Sequence, residues 1–238
     1  FLGVFEGRDC ECSILIDAGV STRRLTKELK LDGVSTDSIS AILITHNHLD
    51  HVRSLGSFCK HLKKPVWSTP TLMNALASRM MTGEHLNGYR HQMEEGWNWV
   101  VPGRIEARYF EVPHDARQTV GYAIRLDGYS FLIMTDVGRV TEEAEDLARD
   151  ASSVVIESNY DPYMLSHSSY PEELRAYATG TATSPTRSAP RLWRASRTRG
   201  CAACSCATAA STTTPRSWPM TAPARFSTRP SGWSCCPA

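Results

Sequence analysis

Several features are missing from this sequence, and each absence excludes a class of protein. No apolar run reaches the roughly 18–20 residues that a membrane-spanning helix needs, and no basic-then-apolar signal segment opens the chain. Before position 200 there are three scattered cysteines, Cys10, Cys12 and Cys59, too few for a disulfide framework. We therefore expect a cytoplasmic globular protein without a membrane anchor or an obligate protein partner.

Acidic residues and lysine are absent from the last part of the chain. Residues 1–174 carry 17 Lys/Arg and all 25 Asp/Glu, a net charge of −8, whereas residues 175–238 carry nine Arg and no acid, a net charge of +9. From about Tyr177 onward Ile, Val, Asn, Gln and His are absent as well. This break in composition separates residues 1–175 from a tail, residues 176–238.

Four explanations compete for the tail. Disordered segments usually favour Glu, Lys and Gln over Cys and Trp, a low-complexity linker would show a repeat, and a basic tail could bind phosphate through its arginines. We favour a shifted reading frame, because the codons allowed for Gly180–Thr186 can read in another frame as His-Gly-His-Leu-Ser-Asn. On this hypothesis the tail is disordered, and the zinc-knuckle-like spacing of Cys201, Cys204 and Cys206 is an accident.

The chemistry of the chain is concentrated in residues 45–51, Thr-His-Asn-His-Leu-Asp-His, which directly follow the apolar run 41–44. Within six residues lie four potential metal ligands: His46, His48, Asp50 and His51. Imidazole and carboxylate bind zinc and similar divalent ions. The spacing lets the first two histidines face one ion and the Asp-His pair face another, and no fold needs this arrangement for packing. The alternative is a solvated histidine-rich loop.

Short apolar runs and turn signals predict an α/β (α+β) architecture. Strands are predicted at 13–16, 41–45, 64–67, 105–112, 120–126, 129–135 and 153–157, and helices at 21–30, 52–62, 69–80 and 141–149. Asp127-Gly128 predicts a hairpin between two of these strands, and residues 82–96, which lack a clear period, are predicted to form an inserted loop. Polar residues recur at strand exits, where α/β proteins build their sites: Asp17, His46, His114, Asp136 and Asn159.

These motifs together resemble one family, the metallo-β-lactamase superfamily, and within it the YycJ/WalJ-type hydrolases. The resemblance rests on five motifs that occur in order: Ile14–Gly19, Ile44–His51, Val112–Asp115, Thr135–Gly138 and Glu157–Asp161. It covers residues 1–175 and implies an αββα sandwich with a dinuclear metal site at its edge. It also implies that the first strand of the family would lie before Phe1, so that the chain is a fragment, and that the last metal-binding histidine falls in the out-of-frame residues 176–238.

The resemblance assigns a role to each polar residue of the motifs. His46, His48 and His114 would hold the first ion, Asp50 and His51 the second, and Asp136 would bridge both. Asp17 would fix the loop behind the ligands, Asp50 would also steer a proton of the attacking water, and Asn159 would contact substrate or support a ligand. The ions would be zinc, with manganese as the alternative, and the second site would be impaired by the missing histidine. Four other histidines are expected to be solvated or structural: His61, His85, His91 and His167.

The resemblance implies a metal-dependent phosphodiesterase, a 5′-exonuclease with DNA as its substrate. Two alternatives remain open at this stage. The same fold hydrolyses small thioesters, lactones or cyclic phosphodiesters, and fold alone does not fix the substrate. The chain could also be an inactive product of a damaged gene.

Overall fold

A computed structural model describes residues 1–157, His167, Glu172 and the backbone of residues 202–206. Its first sheet has five strands in the order β1-β2-β3-β4-β5. β1 pairs antiparallel with β2, and the remaining neighbours are parallel. The strands are β1 Leu2–Glu6, β2 Asp9–Ile16, β3 Ile39–Leu43, β4 Val66–Ser68 and β5 Arg90–Gln92.

The second sheet has six strands in the order β11-β10-β9-β8-β7-β6. β6 to β9 form an antiparallel meander, and β10 and β11 add to it in parallel. The strands are β6 Asn98–Val101, β7 Ile105–Glu111, β8 Val120–Leu126, β9 Tyr129–Met134, β10 Ser153–Glu157 and β11 Ala202–Cys206.

The described residues also form six α-helices. Their bounds are α1 Thr22–Leu31, α2 Leu49–Val52, α3 Leu55–Leu62, α4 Pro70–Ala77, α5 Met80–Leu86 and α6 Glu142–Asp150. Three of them begin at a side-chain cap, in which Ser21, Thr69 or Thr141 accepts a hydrogen bond from the backbone N–H three residues later. No helix among these is long and apolar enough to cross a membrane.

Three apolar clusters define the layers of the molecule. Alternate residues of β3 face opposite sides: Ala41 and Leu43 pack against the second sheet, whereas Ile42 and Ile44 pack against helices. The middle cluster lies between the two sheets, with Tyr122 buried at its centre. A third cluster joins the outer face of the second sheet to α6. The layers confirm the predicted αββα sandwich.

The hairpin predicted at Asp127-Gly128 is confirmed, since β8 and β9 pair across it and both turn residues have positive φ, 50° and 80°. The prediction of an inserted loop at 82–96 is wrong. α5 and β5 occupy that segment, and Thr82, Gly83 and Leu86 are buried. α5 has only seven residues and β5 three exposed ones, too few for a periodic pattern to emerge.

The tail is described only at β11, which pairs in parallel with β10. A strand at these five residues differs from the disordered tail that the composition predicts. The remaining residues of 176–238 lie outside the described residues, and the reading-frame hypothesis stays a prediction.

The fold brings the polar strand exits to one edge of the sandwich. β2 and β3 are parallel neighbours, so Asp17 and the loop from Thr45 follow them at the same end of the first sheet. β7 and β9 both pair antiparallel with β8, so their carboxyl ends, which lead to His114 and Asp136, also share one edge. A backbone hydrogen bond from Val120 N to Thr45 O (3.0 Å) joins the two sheets there.

Candidate metal centre

Asp17 anchors the loop that carries the histidine motif. It adopts a positive φ of 63°, which Asp and Asn tolerate better than most residues. Its Oδ1 accepts from Thr45 N (2.8 Å), and its Oδ2 accepts from Thr45 Oγ1 (2.8 Å) and from His51 Nδ1 (2.8 Å). The predicted position of Asp17 behind the ligands therefore agrees with its contacts.

These hydrogen bonds determine which nitrogen of two histidines carries the proton. A carboxylate only accepts, so Thr45 Oγ1 donates its single proton to Asp17. Thr45 Oγ1 must then accept from His46 Nδ1, 2.9 Å away, which leaves His46 Nε2 with a free lone pair. His51 Nδ1 likewise donates to Asp17. Both rings thus carry a proton on Nδ1, as metal-binding histidines do when the metal occupies Nε2. No described residue hydrogen-bonds to the Nε2 of His46, whereas the Nε2 of His51 contacts Asp136 and becomes available to a cation only after it loses a proton.

His46 is the most deeply buried member of the motif. Its side chain has no exposed surface, and its Nε2 has no hydrogen-bond partner among the residues that the structure describes. Burial, together with the positive charge of His51, lowers the pKa of His46 to about 3. The ring is therefore neutral at physiological pH and ready to act as a ligand. The ring centroids of His51, His48 and His114 lie 4.1, 4.7 and 5.1 Å from that of His46.

His51 lies between carboxylates. Its Nε2 is 3.1 Å from Asp136 Oδ2 and 3.6 Å from Asp50 Oδ2. Burial lowers the pKa of His51, but Asp136 and Asp17 outweigh burial and raise it to about 10. Burial alone would raise the pKa of Asp136, yet His51 and the nearby rings hold it below its usual value. In the metal-free chain protonated His51 and the carboxylate of Asp136 form an ion pair. Metal binding to these two residues must therefore displace a proton from His51.

His48 and His114 complete the cluster from the other side. Their rings meet with His48 Nδ1 3.3 Å from His114 Nε2. Asp115 Oδ1 lies 2.9 Å from His114 Nε2 and 3.7 Å from His48 Nε2. His114 Nδ1, on the other side of the ring, is buried and has no hydrogen-bond partner within the described part of the chain.

Two overlapping groups of residues have the spacing of metal ligands. His46, His48 and His114 form one group and His46, His51 and Asp136 the other, and within each group the candidate ligand atoms lie within 4.8 Å of one another. Among the described residues, the buried His46 Nε2 has no hydrogen-bond partner, and the buried Asp136 Oδ2 has only its ion-pair contact with His51 Nε2 at 3.1 Å. Orphaned buried polar atoms are costly, and a divalent cation between these ligands would satisfy them. The residues therefore fit a metal centre.

The remaining predicted site residues fall into different positions. Asp50 lies at the rim of the centre, with a side chain that is 77% exposed and outside both ligand groups. Asn159 lies outside the described residues. Within the described part of the chain, none of His61, His85 and His91 joins a ligand group.

Three polar residues near the site were not assigned a role from the sequence. Thr45 Oγ1 links Asp17 to His46 through two hydrogen bonds, and Asp115 contacts both His48 and His114. Tyr122 donates from its buried hydroxyl to Ile44 O (2.6 Å), directly before the motif. Thr45 and Asp115 stand beside predicted ligands in the sequence, which is a usable signal; Tyr122 comes from the facing sheet and has none.

Gly19 allows α2, the helix that carries Asp50 and His51, to approach the loop after β2. A Cβ at this position would lie 1.7 Å from Asp50 O, and Ala18 N donates to His51 O (2.7 Å) beside it. We expect Gly19→Ala to destabilise the chain by about 1–3 kcal/mol and to weaken metal binding, because backbone must move. Urea unfolding and zinc titration measure this. Gly88→Ala is the control: nothing lies within 4 Å of its Cβ, so its stability should stay within about 0.5 kcal/mol.

Two stacked sheets between helices, with histidines and aspartates from four strand ends gathered at one edge, define the metallo-β-lactamase fold. Residues 13–186 match the family model of the beta-lactamase superfamily domain. The chain belongs to this family, as the sequence motifs predict.

Two curated proteins within this family are similar to the chain in sequence. The chain is 29% identical over 177 residues to an exodeoxyribonuclease YycJ of Bacillus anthracis, a match that covers 72% of this chain and 64% of the relative. It is 28% identical over 162 residues to an exodeoxyribonuclease WalJ of Streptococcus pneumoniae, covering 68% and 60%. The chain thus spans less than two thirds of either relative.

A solved structure supports the fold alone. The short form of human tRNase Z superposes with a TM-score of 0.57 at 16% identity, covering 82% of this chain and 81% of the other.

Proposed function

We propose that this chain is a metal-dependent phosphodiesterase that hydrolyses DNA. The observation that supports the chemistry is the pair of overlapping ligand groups at one strand-end edge, whose shared atom, the buried His46 Nε2, has no hydrogen-bond partner among the described residues. The choice of substrate rests on the relatives, both named exodeoxyribonucleases. A DNA substrate also agrees with the cytoplasmic location expected from the cysteine pattern.

The first ion is assigned to His46, His48 and His114. One imidazole nitrogen serves one ion, so a second ion must rely on His51, Asp136 and the nearby Asp50. Histidine nitrogens and carboxylate oxygens suit zinc, with manganese as the alternative. The ions, when bound, supply an acidified water and stabilise charge on the attacked phosphate.

The protein's own residues do the rest. Asp17 and Thr45 hold His46 and His51 in the tautomers that ligate. Asp50 is exposed at the rim with Oδ2 3.6 Å from His51 Nε2, where it can accept a proton from a water that attacks the substrate. Among the described residues, no third buried ligand joins His51 and Asp136 apart from the shared His46. We therefore propose that this polypeptide holds one ion tightly and the second weakly.

An open cleft of about 240 Å³ beside His114 favours an anionic substrate. His114, Arg117 and Gln118 line it. Arg117 is exposed and makes no ion pair with any described residue, whereas Glu111 in the same wall accepts a hydrogen bond from Gln118 Nε2 (2.5 Å). A free guanidinium beside the metal ligands suits a phosphate better than a neutral thioester or lactone.

A substrate panel tests the proposal. The zinc- or manganese-loaded chain is incubated with 5′-phosphorylated duplex DNA, a cyclic phosphodiester and a thioester. The same panel is run with a chain whose reading frame is restored after codon 175. Asp136→Asn is the near-isosteric control, and we expect it to lower DNA hydrolysis by roughly 100-fold.

The panel separates the three hypotheses. Metal-dependent DNA cleavage that Asp136→Asn removes supports the proposal. Turnover of the thioester or cyclic phosphate without DNA cleavage would replace it with a small-substrate hydrolase. Activity only in the frame-restored chain would mark this polypeptide as the damaged product, and no activity in either chain would refute the proposal.

A further inference from the structure

The lysines of this protein are confined to one part of the chain. All five occur between positions 27 and 64: Lys27, Lys30, Lys60, Lys63 and Lys64. Residues 21–64 carry eight Lys/Arg against four acids, although residues 1–174 as a whole carry a net charge of −8. A positive region thus stands out from an acidic body.

These cations lie on two neighbouring helices. α1 packs beside α3, and Thr22 Oγ1 lies 3.4 Å from Ser57 Oγ between them. Five exposed cations define the basic surface: Arg23, Lys27 and Lys30 of α1, Lys60 of α3, and Lys63 directly after α3. None of the five makes an ion pair with a described residue. Some arginines elsewhere do, since Arg104, Arg108, Arg125 and Arg149 each contact a Glu or Asp. Others, such as Arg8 and Arg117, make no ion pair with the described residues, so the basic surface stands out by the grouping of its cations on neighbouring helices.

Helix stability does not account for the whole surface. Lys30 and Lys60 lie in last turns, where a cation interacts favourably with the helix dipole. Arg23 lies in the first turn of α1, where a cation is unfavourable, and that turn holds no acid. A cation retained against the dipole, on the same helix face as Lys27 and Lys30 at i+4 and i+7, points to a ligand of opposite charge.

The basic surface begins at the metal centre. α1 starts five residues after Asp17, and α3 starts four residues after His51. Arg53 Nε donates to Gly19 O (2.6 Å), which ties the starts of the two helices together. α1 follows β2, which ends at the metal edge, and α3 follows α2, which carries Asp50 and His51, so both helices start beside the metal centre. The ten residues of α1 span about 15 Å, the length of roughly four to five base pairs.

We propose that the basic surface binds the phosphate backbone of duplex DNA beside the metal centre. This inference rests on the proposed function and names the part of the molecule that holds the substrate outside the reacting bond. Lysines and arginines in a row bind phosphates by charge, without reading sequence. The surface would hold the duplex while its end lies at the ligands.

The test compares two variants of the full chain with equal net charge. Lys27→Gln/Lys30→Gln/Lys60→Gln removes three cations of the surface. Arg8→Gln/Arg125→Gln/Arg149→Gln removes three exposed cations from the β1–β2 turn, β8 and α6. Binding of a labelled, phosphorothioate-protected duplex to the zinc-loaded chain is followed by fluorescence anisotropy between about 50 and 200 mM salt. Zinc content and Tm verify that both variants fold.

We expect the surface variant to weaken DNA binding by roughly tenfold or more and to lower the slope of log Kd against log salt by about 2.7, near 0.9 for each lost phosphate contact. The control variant should change affinity less than about twofold. Equal losses in both variants, or no loss in the surface variant while the wild-type chain cleaves DNA, would overturn the inference and leave the proposed function intact. Binding of the surface to anionic phosphatidylserine vesicles but not to DNA would also overturn it. Absence of wild-type cleavage in the substrate panel is the separate failure of the proposed function.

Discussion

Asp17→Asn is expected to weaken zinc binding by roughly 10–100-fold without unfolding the loop. Asparagine tolerates the positive φ of 63° as well as aspartate does, and its Oδ1 can still accept from Thr45 N. Its amide N–H₂ would then face His51 Nδ1 and Thr45 Oγ1, where a carboxylate oxygen now accepts.

The reversed polarity would act on both ligands in different ways. His51 would have to accept at Nδ1, which places its proton on Nε2, the ligating atom. Thr45 Oγ1 also lies 3.0 Å from Asp17 Oδ1 and would keep donating there, but the new N–H₂ group would compete with His46 Nδ1 as a donor to the same hydroxyl and so weaken the bond that holds the His46 ring. Zinc affinity measured by competition with a chelator tests this.

Asp127→Asn is the matched control, because it makes the same chemical change at a left-handed position, φ 50°, in the β8–β9 turn. Its zinc affinity should equal that of the wild-type chain. Equal zinc affinities for Asp17→Asn and Asp127→Asn would contradict the tautomer argument.

His46→Ala is expected to abolish tight zinc binding. The wild-type chain should hold one zinc tightly, and free zinc at 1,000 times its Kd should stabilise it by about 4 kcal/mol. For a chain of this size that corresponds to a rise in Tm of roughly 8–16 °C. His46→Ala should lose both the bound zinc and the rise, since His46 contributes to both ligand groups.

The metal-free His46→Ala chain should nevertheless fold. Nε2 of His46 has no partner in the metal-free protein, so the substitution removes an orphaned polar atom together with some packing. His61→Ala, at an exposed position on α3, should keep the zinc and the rise in Tm. Two tightly bound zinc ions in the wild-type chain, or an unchanged rise in His46→Ala, would contradict the account of the ligands.

The fold was predictable where local patterns were strong. The apolar run of β3, the Asp127-Gly128 turn and the caps Ser21, Thr69 and Thr141 each fix an element without help from distant residues. α5 and β5 were not, because tertiary contacts decide them. Gly83 allows α5 to pack against Ala77 O, since a Cβ at position 83 would lie 2.2 Å from that oxygen. The periodicity of apolar residues carries no information about such a contact.

The candidate site divides in the same way. Ligand types and their strand-end positions follow from the motifs, and the structure gathers His46, His48, His51, His114 and Asp136. The hydrogen bonds that link Asp17, Thr45 and His46 could not be predicted from the sequence, because the spacing of residues does not determine where a hydroxyl group points. Asn159 and the reading frame of the tail stay predictions, and the nucleotide sequence across codons 170–185 decides the latter.

Release of nucleotides from a 5′-phosphorylated duplex, with and without added metal, tests the central claim most directly. The chain is stripped with a chelator, assayed, reloaded with zinc or manganese and assayed again, beside Asp136→Asn treated identically. The account predicts no release by the stripped chain, release after reloading and roughly 100-fold less from Asp136→Asn. Equal release from the stripped and reloaded chains, or from Asp136→Asn, would contradict it.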